Sequence, residues 1–113
     1  VIPVGNLAGE YRVAEIDGAD IDAPFGLALS VSATRIAFEG PCGGYAWDYQ
    51  VDGTRIETAR TVSPDPACLA HARIHHLVFN LAEAIDTATQ ASRTPSNGIA
   101  LSGVGKSVTL YSQ

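Results

Sequence analysis

The chain has 113 residues, enough for one hydrophobic core, and at 46% hydrophobic and 17% charged it does not have the composition of a disordered segment. Seven basic residues against twelve acidic ones leave a formal net charge of −5 with no clustering of Lys or Arg, which argues against nucleic acid or an anionic membrane surface as partner. No apolar run approaches the roughly 18 residues of a membrane-spanning helix, so no transmembrane segment is expected.

Val1 to Ala8 reads as an N-terminal tether, and residues 9–113 as a single domain. Tyr11 to Ile16 alternates apolar with polar residues, the period of a half-buried strand. Asp17-Gly18 breaks it, and Ala19 to Pro24 forms a loop carrying Asp20 and Asp22. Leu27, Leu29 and Val31 mark a second strand, and Arg35 to Glu39 a third, stopped by Gly40-Pro41. Tyr45, Trp47 and Tyr49 alternate with Ala46, Asp48 and Gln50 in a fourth strand with one aromatic face. Asp52-Gly53 is a hairpin turn into a fifth strand over Thr54 to Thr61.

Ser63-Pro64-Asp65-Pro66 ends the sheet, and Asp65 before Pro66 suits an N-cap followed by proline at the first helical position. Apolar residues then recur at three- and four-residue steps through Leu77/Val78, Leu81 and Ile85, predicting one long helix that fades near Thr87 to Gln90. Arg93 to Gly98 is a loop by composition. Ile99 to Leu101 and Val108 to Tyr111 predict a closing hairpin around Gly103-Val104-Gly105. The expected fold is therefore α+β: a strongly curled, mainly antiparallel sheet of about seven strands, with one long helix packed on it and inserted before the last two strands.

Four groups of residues are candidates for function, and each has a plainer structural reading. Cys42 and Cys68 are the two cysteines, 26 positions apart, one in a glycine-rich turn and one at the mouth of the helix. The pair suits a disulfide staple between sheet and helix; buried free thiols, metal thiolates or a redox pair are the alternatives. His71 and His75, one helical turn apart, are weak candidates for a metal chelate, against the reading of a solvated helix face that also carries His76. The Tyr45, Trp47 and Tyr49 ladder is a candidate ligand platform if it points outward and simple core if it points inward. Asp17, Asp20 and Asp22 are spaced wrongly for an EF-hand and read as an exposed acidic turn. Asp48 and Glu57 are a conceivable carboxylate pair that nothing in the sequence brings together. No nucleophile elbow or phosphate loop is present, so no catalytic residue, resident metal or cofactor is expected.

The order of motifs resembles the META domain family, which includes the HslJ heat-shock lipoprotein. Gly9-Glu10-Tyr11 through Ile16-Asp17-Gly18 is similar to that family's first strand and turn. Phe38-Glu39-Gly40-Pro41-Cys42-Gly43-Gly44-Tyr45 resembles its strand into a Gly-Cys-Asn turn. Thr61 through Ala67-Cys68 resembles its threonine-to-cysteine segment before the helix, and Ile99 to Leu101 with Val108 to Leu110 resembles its closing hairpin. The chain departs from the pattern at Gly43, where the family has asparagine, at Pro41, and in the prolines between Thr61 and Cys68.

The resemblance implies a bacterial envelope protein, often lipid-anchored, without established catalysis and linked to stress response and antibiotic tolerance. The chain lacks methionine even at position 1, which suits removal of an upstream signal peptide or a trimmed chain. With its even cysteine count, it leads to an expected periplasmic or envelope location. The expected function is a non-enzymatic envelope domain that binds a protein or small ligand or supports the envelope under stress. Two alternatives are a metal-binding domain using His71 and His75, and an inhibitor of an envelope-directed hydrolase.

Overall fold

The computed structural model describes residues 2–21 and 25–113. In chain order the strands are β1 (Ile2–Pro3), β2 (Gly9–Ile16), β3 (Ala19–Asp20), β4 (Ala28–Val31), β5 (Arg35–Phe38), β6 (Tyr45–Asp52) and β7 (Arg55–Val62). Two short helices follow, α1 (Pro66–Leu69) and α2 (His76–Asp86), then β8 (Gln90–Arg93), β9 (Ile99–Gly103) and β10 (Lys106–Ser112).

The hydrogen-bonded circuit runs β8-β7-β6-β5-β4-β2-β10-β9 and returns to β8, every pair antiparallel. It is a closed eight-stranded barrel, with β1 added beside β8 and β3 beside β2. Alternation along the strands sets what fills it. Tyr11 and Val13 from β2, Leu29 and Val31 from β4, and Ile36 and Phe38 from β5 are buried, as are Leu101 from β9 and Val108 and Leu110 from β10. A barrel of eight strands is just wide enough for side chains to fill, and this interior is packed in that way. Register shifts at Ala46/Trp47 and at Thr109/Leu110 are bulges that bend the strands round the barrel.

This corrects the expected α+β architecture. The sheet does not curl beneath one long helix; it closes on itself, and the stretch expected to form that helix holds two short ones. Closure depends on β8, a strand the hydropathy pattern does not announce. Gln90-Ala91-Ser92-Arg93 has one fully buried residue, the small Ala91, and so carries no apolar alternation. Yet β8 pairs with β9 from Gln90↔Ser102 to Arg93↔Ile99 and with β7 at Arg55↔Gln90.

The expected single helix breaks between Ala70 and His75. The first piece is held at Cys68 and begins at Asp65, whose carboxylate caps the Ala67 N–H at 3.1 Å, as the sequence suggests. The second starts afresh at His75, whose Nδ1 accepts from the Leu77 N–H at 3.2 Å. From there α2 buries Val78, Leu81, Ala82, Ala84 and Ile85 against the barrel. The apolar stripe is real, but it covers three turns rather than six.

Within the Val1 to Ala8 segment read as tether, Ile2 and Pro3 pair with Arg93 and Ser92, and Val4 and Leu7 are buried. The Tyr11 hydroxyl donates to the Leu7 carbonyl at 2.7 Å and pins the segment down. No helix of the described residues is long and apolar enough to cross a membrane.

Candidate functional site

Cys42 and Cys68 form a disulfide with their Cα atoms 5.5 Å apart, joining the β5–β6 turn to α1. The Asp65 N–H donates to the Cys42 carbonyl at 2.9 Å, so backbone and disulfide tie the same two segments. The turn takes its shape from positive φ at Cys42 (61°), Gly43 (96°) and Gly44 (71°). A Cβ at Gly44 would overlap the Phe38 carbonyl oxygen, so glycine is required there on two counts. Closing a loop of 26 residues stabilises the folded chain by roughly 3–4 kcal/mol in the chain-entropy account.

The aromatic ladder points inward. Tyr45, Trp47 and Tyr49 are all buried, Trp47 completely, so this side of β6 is core and not an exposed platform. Tyr45 stacks on Trp47 with ring centroids 5.7 Å apart. The Trp47 indole N–H donates to Asp86 at 2.8 Å, and the Tyr49 hydroxyl donates to the Ser32 carbonyl at 2.5 Å. The Arg60 guanidinium lies 4.8 Å from the Tyr45 ring centre and also forms a two-point ion pair with Asp86. Burial raises the Tyr45 phenol above its usual range, partly offset by Arg60. Burial likewise raises Tyr11 and Tyr49.

The histidines do not share a helical face. His71 lies in the turn after α1, whereas His75 is the N-cap of α2, with its Nδ1 occupied by the Leu77 N–H. The His75 ring meets Phe25 edge-on at 5.4 Å and stacks on His76 at 4.4 Å. Among the described residues no three His, Cys, Asp or Glu side chains gather as metal ligands would. Phe25, Phe38, Pro41, Arg73, Ile74 and His75 contribute to a cleft of about 460 Å³. In the acidic turn, the Asp17 carboxylate accepts from the Ser107 N–H at 2.9 Å and Asp20 sits in β3; Asp22 lies outside the described residues.

A second concavity follows the join between β7 and β8. These strands share one register pair, Arg55↔Gln90, bracketed by the Ile56 N–H on the Thr89 carbonyl and the Ala91 N–H on the Thr54 carbonyl. Past Ile56, β7 continues to Val62 while β8 has not yet begun. Here α2 meets β7 through side chains: the Thr58 hydroxyl donates to the Ile85 carbonyl at 2.7 Å, and Arg60 holds Asp86.

A groove of about 770 Å³ borders this seam, its lining including Glu57, Thr58 and Ala59 of β7 together with Ala88 and Thr89. Thr34, Asp48 and Gln50 extend its wall. Asp48 faces Ala59 and Gln50 faces Glu57 across the β6–β7 ladder, so Asp48 and Glu57 are diagonal neighbours bordering one groove. The sequence gives each carboxylate an outward position by alternation. Only the Asp52-Gly53 turn, counted outward residue by residue, would have brought them together.

Comparison with family models, with curated proteins and with solved structures finds no match to this chain.

Proposed function

We propose that this chain is a non-catalytic binding domain of the bacterial cell envelope, of the kind implied by its resemblance to the META/HslJ family. The observation that carries the reading is the Cys42–Cys68 disulfide. Disulfides persist in oxidising compartments and are rare in cytosolic proteins. This one also joins the two segments most prominent in the resemblance, the Gly-Cys turn and the stretch from Thr61 to Cys68.

The departures from the family pattern are mild in physical terms. Gly43 has φ of 96°, a sign that glycine adopts freely and for which asparagine is among the more tolerant alternatives. Pro66 occupies the first helical turn, where its missing N–H costs nothing. Binding is favoured over chemistry because the barrel interior is filled by apolar side chains, so recognition falls to surface concavities, among them the seam groove and the Phe25–His75 cleft.

The test follows the full gene product in its bacterial host by fractionation, with a mass-tagged maleimide applied before and after reduction. The expected protein is recovered with the envelope and takes up the tag only after reduction. A cytoplasmic protein labelled at both cysteines without reduction contradicts the proposal.

A further inference from the structure

The unpartnered length of β7 has a specific geometry. Thr58 faces Tyr49 across the β6–β7 ladder, and the Tyr49 N–H is spent on the far side, donating to the Thr34 carbonyl at 3.0 Å. Tyr49–Thr58 is therefore a pair without mutual hydrogen bonds, and the Thr58 N–H and C=O point away from β6 into the seam. Ile56 points the same way, as its bond to Thr89 shows, and by the same alternation Arg60 does too. Ile56 has a backbone partner there. Among the described residues, no backbone hydrogen bond beyond the β6–β7 ladder engages Thr58 or Arg60.

An open strand edge is a template for a further strand, and proteins usually cover, shorten or charge such edges. Here the end of α2 meets the edge through the Thr58 and Arg60 side chains, and a groove of about 770 Å³ borders it, with Glu57 to Ala59 on the β7 side. The groove lining includes two carboxylates, Asp48 and Glu57, and no lysine or arginine. Arg60, the cation on the edge itself, is already held by Asp86.

We infer that the β7 edge from Glu57 to Val62 is a strand-addition site for an extended peptide segment bearing Lys or Arg side chains. The segment pairs its backbone with Thr58 and Arg60, and its basic side chains meet Asp48 and Glu57. Backbone pairing supplies the affinity in this mode of recognition, and the flanking side chains supply the selection. The inference deepens the binding-domain reading above by naming the surface and the chemistry of its partner.

The experiment is selection of the intact, oxidised protein against a displayed library of random ten-residue peptides, followed by amide exchange with an enriched peptide. Enriched sequences are expected to be extended and basic, and to slow exchange at the Thr58 and Arg60 amides at least tenfold. Thr58→Pro, which removes the edge N–H, is expected to weaken binding at least tenfold. Thr58→Ala, which keeps that N–H but loses the bond to Ile85, is expected to leave binding within about twofold. N-methylation of alternate peptide residues provides the same test without altering the protein. An unenriched library, or peptides that bind while leaving both amides unprotected, would overturn the inference. That result in a disulfide-bonded envelope protein removes the edge site and leaves the compartment standing.

Discussion

The indole N–H of Trp47 donates to the Asp86 carboxylate at 2.8 Å, tying a barrel strand to the last residue of α2 across 39 positions of sequence. An acidic residue at a helix C-terminus opposes the helix dipole, so Asp86 is well placed only because Trp47 and Arg60 converge on it. Asp86→Ala leaves the buried indole N–H without its acceptor and is expected to cost about 1–3 kcal/mol in urea unfolding. Asp86→Asn keeps an acceptor and relieves the dipole, and its half-exposed ion pair with Arg60 is worth little, so its cost should stay below about 1 kcal/mol. Equal losses for the two variants would show that the hydrogen bond to Trp47 is not what holds α2.

The disulfide should act on stability rather than on shape. The Cys42→Ser, Cys68→Ser double variant is expected to lose roughly 3–4 kcal/mol while keeping the near-ultraviolet dichroism of buried Trp47. Loss of that signal in unstressed protein would mean that the barrel depends on the staple to form.

At the β9–β10 turn, Val104 has φ of 46° and is 85% exposed, so it incurs left-handed strain and buries nothing in return. Gly103 and Lys106 are partners across it, which makes Val104-Gly105 a two-residue hairpin loop of the kind that favours asparagine before glycine. Val104→Asn is therefore expected to stabilise by about 1 kcal/mol, read as an increase in urea midpoint. The neighbouring Gly103→Ala should do the opposite, because its Cβ would overlap the Thr87 carbonyl oxygen, at a cost of about 1–3 kcal/mol.

Tyr11, Tyr45 and Tyr49 all titrate above the unfolded value of 10.0, chiefly because burial disfavours the phenolate. A group whose folded pKa is raised contributes stability that is complete below its unfolded pKa and is lost as pH rises through the folded one. Stability should consequently fall above pH 10.0, with phenolate absorbance and loss of dichroism developing together. Full phenolate formation by Tyr11, Tyr45 and Tyr49 at pH 10.0 in a still-folded protein would contradict this.

Much of the barrel was legible because half-buried strands advertise themselves by alternation. Tyr45, Trp47 and Tyr49 gave β6, and Asp52-Gly53 gave its turn into β7. The elements that escaped are those without that signal. β8 buries little beyond Ala91, and β1 and β3 are two residues each. Without β8 the strands cannot close, and an open sheet needs a helix to cover its apolar face. The break before His75 was equally silent, since Ala70-His71-Ala72-Arg73 contains neither glycine nor proline. The chain restarts its helix at His75, whose Nδ1 accepts from the Leu77 N–H, and from there buries Val78 and Leu81. The groove was illegible for a related reason: its edge exists because β7 outlasts β8, a relation between strands far apart in sequence.

Amide hydrogen exchange along β7 tests that arrangement most directly. Glu57 and Ala59 pair with Gln50 and Asp48 and should exchange slowly, whereas Thr58 and Arg60 face the seam and should exchange fast, in strict alternation. Slow exchange at all four amides would mean that the edge is already covered, and would contradict both the open seam and the binding site assigned to it.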